Sequence, residues 1–433
     1  MKRLLYNKLI SWKNSKKRKP LLIQGARQVG KTFLVKEFGK KEYKDLVYLN
    51  FERNSILSSL FENDLDPQKI IDNISLFMNR KISKSTLIFF DEIQVAPRVL
   101  TSLKYFQEEA PQFHIIAAGS LLGVSVGKES SFPVGKVEFL TLYPMSFVEY
   151  LIAFKGELFV QLLYRKNEIT PFPDVINSEL LNHLKRYLYL GGMPEVLQSY
   201  LDNKDIKEVR KLQENILKAY KRDFSKYADK SQAIKNSELW SSIPYQLAKE
   251  NKKFKYKDIK RSARAASFDS SIEWLKNAGL INIVYNITVP KLPIAGYSDK
   301  SKFKIYMLDT GLLGAMLNIS SEIIVTSNKL FSEYNGAFIE NFVASELVAT
   351  GFKDLFYWKS KSDAEVDFIV QIKDNIYPLE VKSGLNKNKK SLKSYDEKYT
   401  PKLLLRTNPN NLIKSNRFIN IPLYLIFRIK DLI

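Results

Sequence analysis

Eight residues constrain this chain more than any others. Gly25-Ala26-Arg27-Gln28-Val29-Gly30-Lys31-Thr32 fits G-x-x-x-x-G-K-[ST] at every fixed position. The preceding "LLIQ" predicts a buried strand, and "TFLVKEF" begins a helix. Glycines in such a turn let backbone N–H groups point inward at phosphate oxygens, at a helix N-terminus whose dipole favours an anion. The stretch from Gly25 to Phe33 is therefore the candidate nucleotide-binding loop. Lys31 is expected to reach the β- and γ-phosphates and Thr32 to hold Mg²⁺, so ATP and Mg²⁺ are the expected cofactors.

Such a loop needs a second strand that ends in acid. In "STLIFFDEIQ", residues 87–90 form the continuous apolar run of a central parallel strand, and Asp91 follows at its C-terminal end, the edge where open α/β sheets bind ligands. Asp91 is assigned to Mg²⁺ and Glu92 to the attacking water. A third strand, "FHIIAAGSLLG", places Ser120 where it either contacts the γ-phosphate or merely turns the chain. "DLVYLNFE" reads as another buried strand. The chain has no N-K-x-D motif that reads guanine and no L-S-G-G-Q signature of transporter ATPases.

Composition narrows the remaining classes. The 433 residues suffice for two to four domains. With no cysteine and only His114 and His183, thiolate chemistry is excluded and a zinc site or a Ser-His-Asp triad disfavoured; the lack of cysteine also suits a reducing cytoplasm. No apolar run is long enough to span a bilayer, so no membrane partner is expected. The N-terminal Leu5, Leu9 and Trp12 fall at helical spacing, fitting a short helix packed on the next domain or one lying on a membrane surface. Lys and Arg total 68 against 46 acidic residues, a net charge of +22. Nucleic acid is the leading explanation, and a lysine-rich proteome is the other.

The loop, "FFDEIQ", "AAGSLLG" and "VEFLTLYPMSFVEYL" together resemble a widespread family of bacterial and archaeal AAA+-type ATPases whose C-terminal region is known only as a domain of unknown function. "YLGGMPEVLQSYL", "KFKIYMLDTGLLGAML" and "GAFIENFVASEL" extend the resemblance from about residue 21 to residue 384. One departure is Ser120, where common AAA+ patterns have asparagine. Residues 154–230 show helical patterns expected of a lid. Arg222 there, or Arg98 after the second motif, is a candidate arginine finger for a neighbouring subunit, against the reading of a solvated surface arginine.

Residues 237–308 change grammar. "SELWSSIPYQLAKEN", "KYKDIKRSARAA" and "SFDSSIEWLKNAGLI" predict three helices, and "INIVYNI" and "KFKIYML" a ribbon, the parts of a winged helix. Between Lys249 and Arg264 lie eight basic and two acidic residues, a candidate phosphate-contacting face. Asp269 and Glu273 on the presumed recognition helix oppose that, so protein docking stays open. In the last hundred residues a helix with Glu340 precedes the strand "LFYWKS" and two strands around Lys373-Asp374-Asn375. Period two puts Glu380 and Lys382 on one side, with Asp367 on the neighbouring strand. This order resembles the PD-(D/E)XK nuclease fold, particularly its archaeal Holliday-junction resolvase branch. The resemblance implies Asp367 and Glu380 as metal ligands, Lys382 on the water and Glu340 as accessory.

The expected fold is α/β: an AAA+-type P-loop NTPase domain (residues 1–153), a helical lid (154–230), a winged helix (231–325) and a restriction-endonuclease-like domain (326–433). The expected function is Mg-ATP hydrolysis with Lys31 and Glu92 catalytic, coupled to DNA binding and, through Asp367, Glu380 and Lys382, to DNA cleavage. The alternative is a nucleotide-controlled switch or scaffold, with a protein partner or a homo-oligomer and an inactive nuclease-like domain.

Overall fold

The computed structural model describes residues 1–120, 133, 135–165, 169–249, 252–320, 336–360, 364–384 and 390–433. The boundary expected between residues 325 and 326, and the start of the basic run at 387–393, lie outside the described residues. The chain divides into two compact units: residues 2–143 with 277–279, and residue 1 with 144–276 and 280–433.

The first unit is built on a fully parallel sheet. Strand β1 is Leu21–Gln24, β2 Asp45–Asn50, β3 Thr86–Asp91, β4 His114–Ala118 and β5 Glu138–Thr141. Their spatial order is β2-β3-β4-β1-β5. Every residue of β3 is buried, as a strand covered on both faces requires. Helices α1 (Leu5–Lys13), α2 (Lys31–Glu42), α3 (Pro67–Met78) and α4 (Pro97–Glu109) complete this unit. Leu9 and Trp12 of α1 are buried, which agrees with a helix packed on the domain. Phe51, Phe61, Phe90 and Phe106 pack edge-on or tilted within one apolar cluster beneath β2 and β3.

The second unit begins with helices: α5 (Phe147–Lys155), α6 (Glu157–Arg165), α7 (Asp174–Leu190), α8 (Pro194–Asn203) and α9 (Ile206–Tyr227). Helices α10 (Lys230–Leu247) and α11 (Ala265–Asn277) follow. Between them "KYKDIKRSARAA", expected as a helix, holds only a single 3-10 turn, Tyr256–Asp258, before α11 begins. Strands β6 (Ile281–Ile287) and β7 (Ser298–Met307) pair antiparallel, as the expected ribbon does. They do not stand alone as a wing. β6 pairs in parallel with β8 (Leu355–Lys359), so the ribbon is one edge of a larger mixed sheet. That sheet continues through β9 (Glu365–Ile372), β10 (Asn375–Val381), β11 (Leu404–Asn408), β12 (Ile413–Ser415) and β13 (Phe418–Pro422), in the order β12-β13-β11-β10-β9-β8-β6-β7. Helices α12 (Thr310–Met316), α13 (Ala337–Ala349) and α14 (Lys390–Tyr399) complete this half.

The quoted sequence blocks meet inside this unit. The Gly192 N–H donates to Asp309 Oδ2 at 2.5 Å, and Asp309 Oδ1 accepts from Leu312 N–H, capping α12. A Cβ on Gly192 would stand 2.1 Å from the Met145 carbonyl oxygen, so only glycine allows that approach. Glu346 of α13 reaches back 199 residues: its Oε1 accepts from Phe147 N–H at 2.7 Å, at the start of α5, beside the Ser146–Glu149 capping box. The other oxygen, Oε2, is buried and has no hydrogen-bond partner among the described residues.

Burial pushes the Glu346 carboxyl up to about 8, with nearby Glu149 adding to the shift and the Phe147 N–H opposing it. In the folded chain this group holds its proton through a range where the unfolded chain releases it. It therefore makes stability fall as pH rises from about 4.5 to about 8. Glu346→Gln keeps the acceptor and removes the ionisation. Thermal unfolding is expected to show the variant gaining on wild type as pH rises from 5.5 to 8.5, by at least about 2 °C.

Candidate nucleotide and catalytic site

The P-loop turn leaves β1 and enters α2 through backbone angles that side chains resist. Gly25 has φ +146°, Gln28 +65° and Gly30 +94°. An added Cβ on Gly25 would sit 2.1 Å from the Leu142 carbonyl oxygen, so the turn is packed too closely for any other residue. Arg3 pins it from outside, donating to the Val29 carbonyl oxygen at 2.7 Å and to that of Tyr143 at 2.6 Å.

Lys31 opens α2 and is buried. Its Nζ donates to the carbonyl oxygens of Gly25 and Ala26 at 2.9 and 2.8 Å, and among the described residues it makes no ion pair. Burial presses its pKa down to about 8, against the pull of Glu92 and Asp91; Arg27 adds to the downward shift. A buried ammonium held only by carbonyl dipoles is an electrostatic demand for an anion. The loop thus fits a phosphate on the evidence of its own donors.

Thr32 Oγ1 donates to Asp91 Oδ2 at 2.9 Å, joining the loop to β3. Burial raises the Asp91 carboxyl, offset by the bonds from Thr32 and Tyr48. A hydroxyl and a carboxylate brought together beside a phosphate cradle are the donor set of a Mg²⁺ site in such proteins, so these residues fit the expected metal. Glu92 follows with φ +57°, a conformation a glutamate adopts only when its surroundings impose it. Its Oε2 accepts from Gln94 Nε2 at 2.7 Å and Ser120 Oγ at 3.3 Å. Ser120 reaches it because β4 lies between β1 and β3, with Ala118 opposite Asp91. Phe33, 60% exposed, presents a ring beside the loop.

Three contributors escaped the sequence reading. Tyr48 donates its hydroxyl to Asp91 Oδ2 at 3.0 Å and accepts from Asn50 Nδ2 at 3.0 Å. The parallel register sets Asn50 against Asp91, and no sequence pattern announces that. Gln94 was quoted within "DEIQ" without a role. Arg3 carries no local signal of a role; it reaches the loop only through the fold. Of the two finger candidates, Arg98 donates to the Phe61 carbonyl oxygen at 2.7 Å, and Arg222 is exposed on α9.

The C-terminal acids meet cations of their own chain. Glu340 accepts from Lys252 Nζ at 2.5 Å and Tyr306 Oη at 2.7 Å, and Lys304 Nζ lies 3.9 Å away. Burial alone would raise the Glu340 carboxyl, but Lys252 and Lys304 overcome it and hold it low. Asp367 accepts from Val381 N–H at 2.8 Å; burial and the Glu340 charge push it up to about 7. Glu380 is expected to share a metal with Asp367. Instead the buried Arg406 grips its Oε2 through Nε at 3.1 Å and Nη2 at 2.8 Å, while Lys382 Nζ stands 3.2 Å from Oε1. Among the described residues no group of three or more His, Cys, Asp or Glu could hold a metal ion. Arg406 was missed because β11 pairs with β10 across distance, and Lys304 because β7, paired with β6, brings it to Glu340 and Glu365 from far away in sequence.

Residues 17–151 match the family described as AAA domain. This region is similar to AAA domains and has a P-loop NTPase fold. Residues 181–323 and 335–426 match two families described as domains of unknown function, DUF8612 and DUF4143. Uncharacterised proteins of Mycobacterium tuberculosis and Mycobacterium bovis are each 34% identical over 88 residues, which is 20% of this chain and only 19% of either relative. Among solved structures, the Walker-type ATPase of Pyrococcus abyssi matches at 13% identity over 72% of this chain and 94% of that one, with TM-score 0.45. AMPPCP-bound DnaA of Aquifex aeolicus matches at 15% identity over 63% and 86%, with TM-score 0.29.

The Glu380–Arg406 pair generates a stability prediction. Arg406→Ala takes the buried partner from Glu380 and leaves it the more exposed Lys382, and is expected to cost about 3 kcal/mol in denaturant unfolding, whereas the apolar pair Glu380→Leu with Arg406→Met costs much less. Equal losses in the two variants would mean that the pair is not the electrostatic lock described.

Proposed function

We propose that this chain is a Mg²⁺-dependent ATPase whose turnover is coupled to DNA. The observation that carries the reading is the Thr32–Asp91 hydrogen bond beside the buried, carbonyl-held Lys31. In this reading Lys31 draws the β- and γ-phosphates into the loop, and Thr32 and Asp91 hold the metal, which neutralises phosphate charge when bound. Glu92, oriented by Gln94 and Ser120, takes the proton of the attacking water. Residues Gly25 to Thr32 supply the N–H groups around the phosphates, and Phe33 stands where an exposed ring can cover the base.

The DNA part rests on charge. Lys255, Lys257, Arg261 and Arg264 are exposed in the turn between α10 and α11, whereas Lys260 is taken up by Glu238. The cytoplasm is the setting this function implies. A specific observation favours the second reading for the C-terminal half: Arg406 already pairs with Glu380, one of the two acids a metal would join, and Lys252 and Lys304 with the accessory Glu340, while burial and the Glu340 charge push Asp367 up to about 7. On that basis Asp367, Glu380 and Lys382 form a nuclease-like centre that does not cut, in a protein whose ATP state governs its hold on DNA or on a protein partner.

The test is ATP turnover with and without single-stranded, duplex and branched DNA. Wild type is expected to hydrolyse ATP faster with DNA. Lys31→Ala is expected to lose ATP binding. Glu92→Gln should bind ATP normally and turn over about 100-fold more slowly or worse. Reversing Lys257, Arg261 and Arg264 to Glu should abolish the stimulation and flatten the salt dependence of DNA binding by up to about three counterions. No stimulation by any DNA, with stimulation by a protein partner, would move the reading to a scaffold. Cleavage of branched DNA with Mn²⁺, lost in both Glu380→Ala and Lys382→Ala, would restore an active nuclease.

A further inference from the structure

The site described so far lacks one part. Phosphoryl transfer to water spreads negative charge over the γ-phosphate oxygens, and a second cation beside the loop lysine is what speeds it most. Arg98 is engaged by the Phe61 carbonyl, with Glu62 at 3.9 Å, and Arg222 lies on a helix of the other unit.

One arginine sits in the cradle itself. Arg27 directly follows Ala26, whose carbonyl oxygen holds Lys31, and precedes Gln28, where the backbone reverses at positive φ. Its Nη2 lies 3.9 Å from Glu52 Oε2. Glu52 stands two residues beyond the end of β2, the strand whose last residue is level with Asp91. The guanidinium is thus held at the edge of the sheet where Asp91 and Glu92 emerge. Both side chains are about one-third exposed, at 36% and 31%, so the contact is weak and water-accessible. Its charge already reaches Lys31, where it opposes protonation.

We propose that Arg27 is an arginine finger acting in cis, parked on Glu52 and transferred to the γ-phosphate when ATP enters. The inference rests on the ATPase reading. A guanidinium matches a phosphate bidentately and is attracted more strongly by a γ-phosphate than by a single exposed carboxylate. In the reaction the water oxygen bonds to the γ-phosphorus while the bond to the β–γ bridging oxygen breaks, and that oxygen leaves with ADP. One water proton passes to Glu92 and then to solvent. Arg27 exchanges no proton; it offsets the charge that spreads over the γ-oxygens. Glu52 holds the guanidinium in reserve and competes with the γ-phosphate for it, so ATP must displace the carboxylate while ADP leaves it in place.

The experiment compares kcat, KM and nucleotide affinity for wild type, Arg27→Ala, Arg27→Lys and Glu52→Gln, with Lys31→Ala as reference. Arg27→Ala should lower kcat about 100-fold or more while ATP still binds. Arg27→Lys should fall between it and wild type, since a lysine keeps the charge without the bidentate geometry. Glu52→Gln should raise the ratio of ATP to ADP affinity, and Arg27→Ala should lower it. Mixing Arg27→Ala with Lys31→Ala protein should restore no turnover, because cradle and finger must share one chain. Turnover recovered on mixing would overturn the cis assignment. So would wild-type kcat in Arg27→Ala, or loss of ATP binding as complete as in Lys31→Ala. If turnover of the preparation is insensitive to Lys31→Ala, the ATPase reading itself fails, and that result is distinguishable from the others.

Discussion

A buried ammonium whose hydrogen bonds, among the described residues, go to carbonyl oxygens is the interaction on which the rest of the first unit depends. Lys31 is desolvated and, among the described residues, makes no ion pair, the pull of Asp91 and Glu92 falling short of its burial, a state that costs several kcal/mol unless an anion arrives. The surrounding structure keeps it so: Arg3 fixes the Val29 carbonyl, Gly25 lets the turn press on Leu142, and Thr32 anchors the start of α2 to Asp91. Parallel pairing of β3 and β4 then delivers Asp91, Glu92 and Ser120 to the same edge. The fold is therefore a device for holding one cation out of water next to two acids.

The second unit solves a similar problem in the opposite way. Glu340 and Asp367 are also buried, but Lys252, Lys304 and Tyr306 come to meet Glu340, and Glu380 has Arg406. Such a cluster is satisfied from within. Where the P-loop leaves a charge that calls for a ligand, the C-terminal acids have partners in the chain itself. That contrast is the physical basis of the proposal that the chemistry lies in the first unit and that the C-terminal acids do not cut.

Much of the first unit was legible because its signals are local. The loop residues bear their role in their order, and the apolar run 87–90 ending in Asp91 reads directly as a central strand. Glu340, Asp367 and Glu380 were found on the elements expected of them, and a period of two placed Glu380 beside Lys382. What could not be read was pairing across distance. Nothing local tells that β6 joins β8, which turned the expected wing into a sheet edge, or that Arg406 on β11 faces Glu380 on β10. Tyr48 escaped for the same reason: its role exists only through the register of β2 on β3. "KYKDIKRSARAA" misled differently, since its basic residues suit a helix by propensity while the chain there forms one short turn.

The most direct test of the central claim is Mn²⁺ affinity of the ATP-bound protein, read by electron paramagnetic resonance in wild type, Thr32→Ala and Asp91→Asn. The Thr32–Asp91 junction is held to be the metal site. The account predicts one tightly held Mn²⁺ per ATP-bound chain, weakened about 10-fold or more in each variant. Unchanged Mn²⁺ affinity in both variants would contradict it.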